Sequence, residues 1–410
     1  MKIVKCRICG EQVQKTFVDL GHTPLSNSYL KKNMFKNERK FPLHALICTK
    51  CMLVQLGEFE SPKKIFSDYA YFSSYSKTWL KHAEDYVKKM KNRFNLNTDN
   101  LVIEIASNDG YLLQYFKKYK IPVLGIEPAE NVAKIAKKRK IFTLTKFFNT
   151  KLAKELVKSG KQPDLLLGNN VLAHVPKLND FVEGLKILLK YNGVITLEFP
   201  HILQLINKNQ FDTIYHEHLS YFSLITLKKL FTKHKLEIFD VEELNTHGGS
   251  LRIFIKHKEN KFYKEKISVK QLLEKEKLFG LKKISTYTNF SKEVNSIKKE
   301  LLNFLQKAKK DNKIVVGYGA PAKGNTLLNF CGIDSELIKY TVDMNHHKQG
   351  MYLPGSHILI KKPNEIAKIK PDYVLILPWN LKNEIMNQLK DIHKWGGKFV
   401  IPIPKVRVIK

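Results

Sequence analysis

The chain has 410 residues, 43% of them hydrophobic, and a formal net charge of +33. That length allows two or three domains with separate cores. No apolar run reaches the roughly 18 residues of a membrane span, and Met1-Lys-Ile-Val-Lys-Cys-Arg lacks the apolar centre of a secretory signal, so a cytoplasmic protein without a membrane partner is expected. The excess charge is mostly lysine and reads as solvated helix faces. Without a basic run interleaved with aromatics, nucleic acid is not expected as a partner, whereas an anionic small molecule is compatible with the charge.

Residues 1–75 carry four of the five cysteines, as Cys6-Arg-Ile-Cys9 and Cys48-Thr-Lys-Cys51. Each C-x-x-C can turn two thiolates toward one ion, and two such turns complete a closed tetrahedral site. In a cytosolic chain disulfides are the less favoured use, so a structural Zn2+ is expected on Cys6, Cys9, Cys48 and Cys51. The pairs lie about forty residues apart, and Leu20–Ser28 between them reads as a substantial loop. His22 is an alternative ligand that four cysteines make unnecessary. A stretch rich in Tyr and Ser follows, including Tyr69 and Tyr71, which serves either as a packing seam or as the wall of a polar ligand site. Trp79 to Phe94 reads as an amphipathic helix.

Residues 76–258 read as a Rossmann-like unit. Leu101-Val-Ile-Glu-Ile-Ala-Ser-Asn-Asp-Gly110 is a buried strand and a small polar turn, and the segment that ends at Glu127 is a second strand. Glu127 lies about twenty residues past the turn, where a carboxylate can accept both hydroxyls of a ribose. The turn lacks G-x-G-x-x-G, so no pyrophosphate cradle is expected there. Glu104 on the first strand with Asn108, Asp109 and Gly110 in the turn is more typical of S-adenosylmethionine folds than of dinucleotide folds. Asn169, Asn170 and His174 follow the next strand, where a ligand of a parallel sheet should lie. Val194–Phe199 is the strand after that, and it delivers a cluster with His201, Tyr215, His216, Glu217 and His218. His216 and His218 are two apart and H-E-x-x-H spacing is absent, so a zincin-type metal site is not expected. Leu236–Leu244 and the strand after His247-Gly-Gly-Ser250-Leu-Arg252 should form an antiparallel hairpin that closes the sheet edge.

Residues 259–311 read as one or two linker helices, mostly solvated. Residues 312–410 restart with strand, glycine-rich turn and helix in Gly317-Tyr-Gly-Ala-Pro-Ala-Lys323-Gly-Asn325, and continue as a second, smaller α/β sheet. The glycines let backbone approach an anion at a helix start, and Lys323 adds a cation. Cys331 reads as a small core residue.

Taken together, the C-x-x-C pairs, the Tyr/Ser stretch, Glu104 to Gly110, Tyr215-His-Glu-His218, His247 to Arg252 and Gly317 to Asn325 resemble the nucleotide-sugar C-methyltransferases, in order and over essentially the whole chain. The resemblance implies a zinc-binding domain, a central S-adenosylmethionine domain and a C-terminal Rossmann-like domain that helps to hold a nucleotide-linked sugar. It implies methylation at C3 of a 4-keto sugar, with His218 as base, Tyr215 and Glu217 beside it, and His174 and Tyr69 in the site. Glu104, Ser107, Asn108, Asp109, Gly110, Glu127, Asn169 and Asn170 would hold the cofactor. Tyr71, His247, Ser250, Arg252, Lys323 and Asn325 would face the sugar nucleotide. The family's usual glycine in the first turn is Ala106 here. The label also covers enzymes that methylate oxygen, so a sugar O-methyltransferase is the alternative. A monomer is the default expectation.

Overall fold

Three sheets organise residues 4–61 and 73–409, which are the residues that the computed structural model describes. In the first, Lys15–Thr23, Phe41–Ile47 and Val54–Leu56 pair antiparallel in that order. Leu43, Ala45 and Ile47 point into the core at alternate positions. The sheet's fourth strand is not local. Ser220–Tyr221, just after the Tyr215–His218 cluster, adds antiparallel to Val54–Leu56, with Gln55 opposite Ser220. Leu20–Ser28 is not one loop as expected: the first strand runs on to Thr23, with a register shift between Asp19 and His22. Only the residues beyond Thr23 leave the sheet.

The central sheet runs Leu236–Leu244, Ser250–His257, Val194–Pro200, Leu165–Asn169, Val102–Ile105, Val123–Ile126, Thr143–Leu144. Val102–Ile105 and Leu165–Asn169 are buried along their whole length, as inner strands of a parallel sheet must be. The antiparallel strand does not lie at the edge. Ser250–His257 inserts between Val194–Pro200 and Leu236–Leu244 and pairs antiparallel with both. The helix Leu224–Lys233 returns the chain to a strand parallel to Val194–Pro200, one place too far out, and the hairpin fills the gap.

The helix Lys77–Arg93 starts where the Ser76 hydroxyl accepts from the Trp79 amide. It buries Trp79, Ala83, Tyr86, Val87 and Met90, one face at three- and four-residue spacing. Lys91 and Arg93 in its last turn suit the negative helix end.

Residues 259–311 form helices that are solvated on one face and pack an apolar stripe on the other. Ile267–Phe279 buries Val269, Leu272 and Glu276, and Phe290–Lys310 buries Phe290, Val294, Ile297, Leu301, Leu305 and Ala308. That second helix packs with the C-terminal sheet, whose order is Ile360–Lys361, Thr341–Val342, Val315–Tyr318, Tyr373–Ile376, Lys398–Ile401, Arg407–Ile409. Only the last strand of that sheet runs antiparallel. Cys331 is buried, as expected of a core residue. No described helix is long and apolar enough to cross a membrane.

Candidate active site and metal centre

The two cysteine pairs fold into matching turns. Gly10 donates its amide to the Cys6 carbonyl and Met52 donates to that of Cys48, both at 2.9 Å, and both residues have positive φ. The four Sγ atoms lie within 4.8 Å of one another, with Cys6–Cys51 at 3.4 Å and Cys9–Cys48 at 3.5 Å. Zn–S bonds of about 2.3 Å set thiolates roughly 3.8 Å apart in a tetrahedron. The donor set therefore fits Zn2+, with no position left for substrate. His22 is exposed and outside the group.

At the carboxyl end of the central sheet, the first turn keeps Ala106, Asn108 and Gly110 at φ of +57°, +48° and +77°. Alanine is strained in that region where glycine is not. Ala106→Gly is expected to raise the midpoint of urea unfolding, by about 1 kcal/mol in stability, checked by tryptophan fluorescence. Glu127 closes the turn: its carboxylate accepts from the amides of Asn108 and Ala129, each at 2.9 Å. Burial pushes Glu127 up to about 7 against those two amides. Glu104 is buried with neither carboxylate oxygen paired among the described residues, and burial raises it well above the usual carboxylate range, with Glu127 and Asp109 adding to the effect. Ser107 Oγ, Asp109 Oδ1 and both amide atoms of Asn169 are likewise buried and unpaired. So many orphaned donors and acceptors at one sheet end call for a polar ligand. They fit S-adenosylmethionine, which brings ribose hydroxyls, an ammonium and a sulfonium.

The second group of side chains lies on the segment between Phe211 and Tyr221. His218 Nδ1 is 2.9 Å from the Thr213 carbonyl oxygen. A carbonyl only accepts, so the proton sits on Nδ1 and Nε2 carries the lone pair. The Tyr215 hydroxyl donates to that Nε2 at 2.8 Å. His174 donates from Nδ1 to the Glu217 carbonyl at 2.7 Å, and its ring centroid is 4.9 Å from that of His218. Burial holds His174 down at about 4, and burial with the neighbouring His174 holds His218 well below the usual imidazole range. Both rings are neutral at pH 7. Glu217 is buried, its carboxylate accepts from Asn27 Nδ2 at 2.8 and 2.9 Å, and burial raises it to about 7.

Other residues singled out in the sequence have varied surroundings. His247 Nε2 meets Asn170 Nδ2 at 3.1 Å, and Trp79 stands edge-on to the His247 ring at 5.0 Å. Lys323 is half-buried, donates to Asn380 Oδ1 at 2.9 Å, and sits 4.4 Å above the Trp379 ring. Trp379 in turn donates to Asp212 at 2.6 Å. Asn325 donates to the Ser26 carbonyl at 2.6 Å and keeps a buried Oδ1 unpaired among the described residues. Arg252 has counter-charges within the central sheet. Its guanidinium is locked to Glu198 at 2.7 Å and Glu242 at 3.1 Å, and Ser250 donates to the Thr246 carbonyl. His201 leaves the cluster altogether. It is fully buried against Glu276 at 2.7 Å, and Glu276 also accepts from the amides of Leu224 and Ile225. Tyr69 and Tyr71 fall outside the described residues.

Residues that sequence reasoning missed include Asn27, His82 and Glu198. His82 Nε2 and Arg252 hold the Glu198 carboxylate at the end of Val194–Pro200, and they outweigh burial to keep it at about 2. Asn27 lies in the stretch read as a plain loop, with no period or motif to mark it.

Three family models match in chain order: a zinc binding domain over residues 6–66, a methyltransferase domain over 79–241 and a C-methyltransferase C-terminal domain over 245–404. Among solved structures, an S-adenosylmethionine-dependent methyltransferase from Clostridium acetobutylicum is 11% identical (TM-score 0.36; 43% of this chain, 92% of that one). Magnesium protoporphyrin IX methyltransferase from Synechocystis, with bound S-adenosylmethionine, is 14% identical (TM-score 0.35; 48% of this chain, 88% of that one). The C-methyltransferase NovU of Streptomyces niveus is 34% identical over 408 residues, 99% of this chain and 97% of NovU. An end-to-end match of that kind, over a four-thiolate centre and a sheet end full of unpaired polar groups, makes the chain a member of the C-methyltransferase family, an S-adenosylmethionine-dependent enzyme with a zinc-binding N-terminal domain.

Proposed function

We propose that the enzyme methylates carbon 3 of a nucleotide-linked 4-keto deoxysugar, with Glu104, Ser107, Asn108, Asp109, Gly110, Glu127, Asn169 and Asn170 around the cofactor. The observation that carries this reading is the neutral His218, with its lone pair on Nε2 and the Tyr215 hydroxyl 2.8 Å away. When bound, S-adenosylmethionine would supply an electrophilic methyl group. The hydrogen on a carbon next to a ketone is acidic only if the oxyanion that forms is stabilised. His218 Nε2 takes the proton; the C–H electron pair moves into the ring and the carbonyl becomes an enolate. Tyr215 turns its hydroxyl from Nε2 to the enolate oxygen, while the His174 ring packs beside that of His218.

A lowered pKa has two consequences. His218 is fully unprotonated at neutral pH, and it is a weak base for a neutral substrate. The negative enolate offsets the second effect, because imidazolium and enolate form together as a pair in a site with little water. Lys323 and Asn325, at the start of the C-terminal domain's first helix, are proposed to face the nucleotide, with His247 between the two ligands. Arg252 and Ser250 have partners of their own and are not assigned to substrate.

Glu217 gives the reaction its pH dependence. Its carboxyl, raised to about 7 by burial, takes up a proton as pH falls through that value, while His218 stays neutral. With cofactor saturating, kcat is expected to fall below about pH 7, and Glu217→Gln should give a lower rate with no limb in that region. The reading as a whole is tested by incubating a panel of nucleotide-linked 4-keto sugars with methyl-labelled cofactor and following products by mass spectrometry. Carbon NMR of the product should show a new quaternary carbon; a methoxy signal would make the enzyme an O-methyltransferase.

A further inference from the structure

We propose that Asn27, supplied by the zinc-binding domain, is a positioning residue of the catalytic site, setting the place of Glu217 and through it of His174. The proposal rests on the reading of the Tyr215–His218 segment given above. Asn27 is distant from Glu217 in sequence, yet its side-chain nitrogen bridges both carboxylate oxygens at 2.8 and 2.9 Å. Among the described residues it is the one hydrogen-bond donor to that buried carboxylate. The Glu217 main chain carries the effect onward, because its carbonyl accepts from His174 Nδ1 and so fixes that ring's tautomer and tilt.

The loop that holds Asn27 is itself anchored on both sides. Asn325 grips the Ser26 carbonyl at 2.6 Å, and the half-buried Tyr29 donates to the Ala320 carbonyl at 2.6 Å. Leu30 bridges to Tyr352. All three anchoring partners thus belong to the C-terminal domain, while the Asn27 amide reaches into the central one. Asn27 stands where the three parts of the chain meet. The zinc-binding domain grips the catalytic segment at other points too: Arg7, inside the first cysteine pair, donates to the Leu219 carbonyl at 3.0 Å, and Gln55 pairs with Ser220. A neutral amide also suits the task. The Lys348 cation and the Asn27 amide both favour the ionised carboxyl, and burial outweighs the two. An arginine in place of Asn27 would add a second positive charge, whereas the amide fixes the carboxyl in place and leaves it able to titrate near pH 7.

The test compares Asn27→Ala, Asn27→Asp and Glu217→Gln in the full-length zinc-loaded enzyme, with labelled S-adenosylmethionine and whichever nucleotide-linked 4-keto sugar of the panel is turned over. Asn27→Ala should keep its metal content and cofactor affinity. Its kcat should fall about 10- to 100-fold, and the acidic limb should move up by about one pH unit, because a donor to the ionised carboxyl is gone. A purely structural contribution would lower the rate evenly at all pH values. Should Asn27→Ala fail to fold, Asn27→Asp, of the same shape, sets two carboxyls side by side and must raise the limb further. An unmoved limb in whichever variant folds, while Glu217→Gln still abolishes it, overturns the proposal and leaves the proposed function standing. If Glu217→Gln matches the wild type in rate and limb, the reading of the site fails and this inference falls with it.

Discussion

His218→Asn is expected to lower methyl transfer by about a thousandfold, with cofactor affinity unchanged. Asparagine can keep a donor on the Thr213 carbonyl and disturbs the packing little, but it has no basic nitrogen. On the proposed mechanism, what is lost is proton removal, the step before carbon–carbon bond formation. Two readouts should therefore fall together: label incorporation from the cofactor, and washout of deuterium from sugar carbon 3 into water. Tyr215→Phe separates the roles. It leaves His218 Nε2 in place and removes the hydroxyl that donates at 2.8 Å, so exchange should slow by about 10- to 100-fold, in line with the loss of one oxyanion donor. Undiminished washout in His218→Asn would remove His218 as the base. Washout without methylation would move the fault to the second step.

The sequence carried those features whose cause is local. The four cysteines announce their site because two knuckles need only C-x-x-C spacing, and the same turn recurs at Gly10 and Met52. The strand, polar turn and distal acid of Val102 to Glu127 were readable because strand burial and turn chemistry depend on neighbours in the chain. What escaped depends on partners far along the chain. His201 follows a strand end just as a site residue would, and only Glu276, in a helix that reads as solvated, takes it into the core. The buried stripes of that helix and of Phe290–Lys310 went unread because lysines on the outward face dominate the composition and mask them. The partners of Arg252 were equally hidden, since Glu198 and Glu242 reach it from neighbouring strands far along the chain. Asn27 has no local mark at all, since its meaning lies in the carboxylate it meets.

Stripping the metal, or replacing Cys48 with Ser, is expected to unfold the N-terminal sheet and with it to abolish activity. Its three local strands bury too little apolar surface to stand alone. A four-thiolate zinc centre contributes on the order of 10 kcal/mol to the folding of such a unit. The loss should spread inward, because carbonyls of both knuckles are held by the central domain: Asn179 donates to Arg7 at 2.7 Å, Lys233 to Ile8 at 3.0 Å and Thr226 to Cys51 at 3.1 Å. With the knuckles gone, Ser220–Tyr221 loses its strand partner, and the Tyr215–His218 segment loses the sheet that fixes its far end. A chelator-treated sample should melt about 10 °C lower or more and become sensitive to protease within residues 4–61. Cys331→Ser, at a buried thiol remote from the four, should keep its zinc. Metal-free protein, verified by elemental analysis, that melts and resists protease like the loaded form would show that the thiolates are not what holds this domain together.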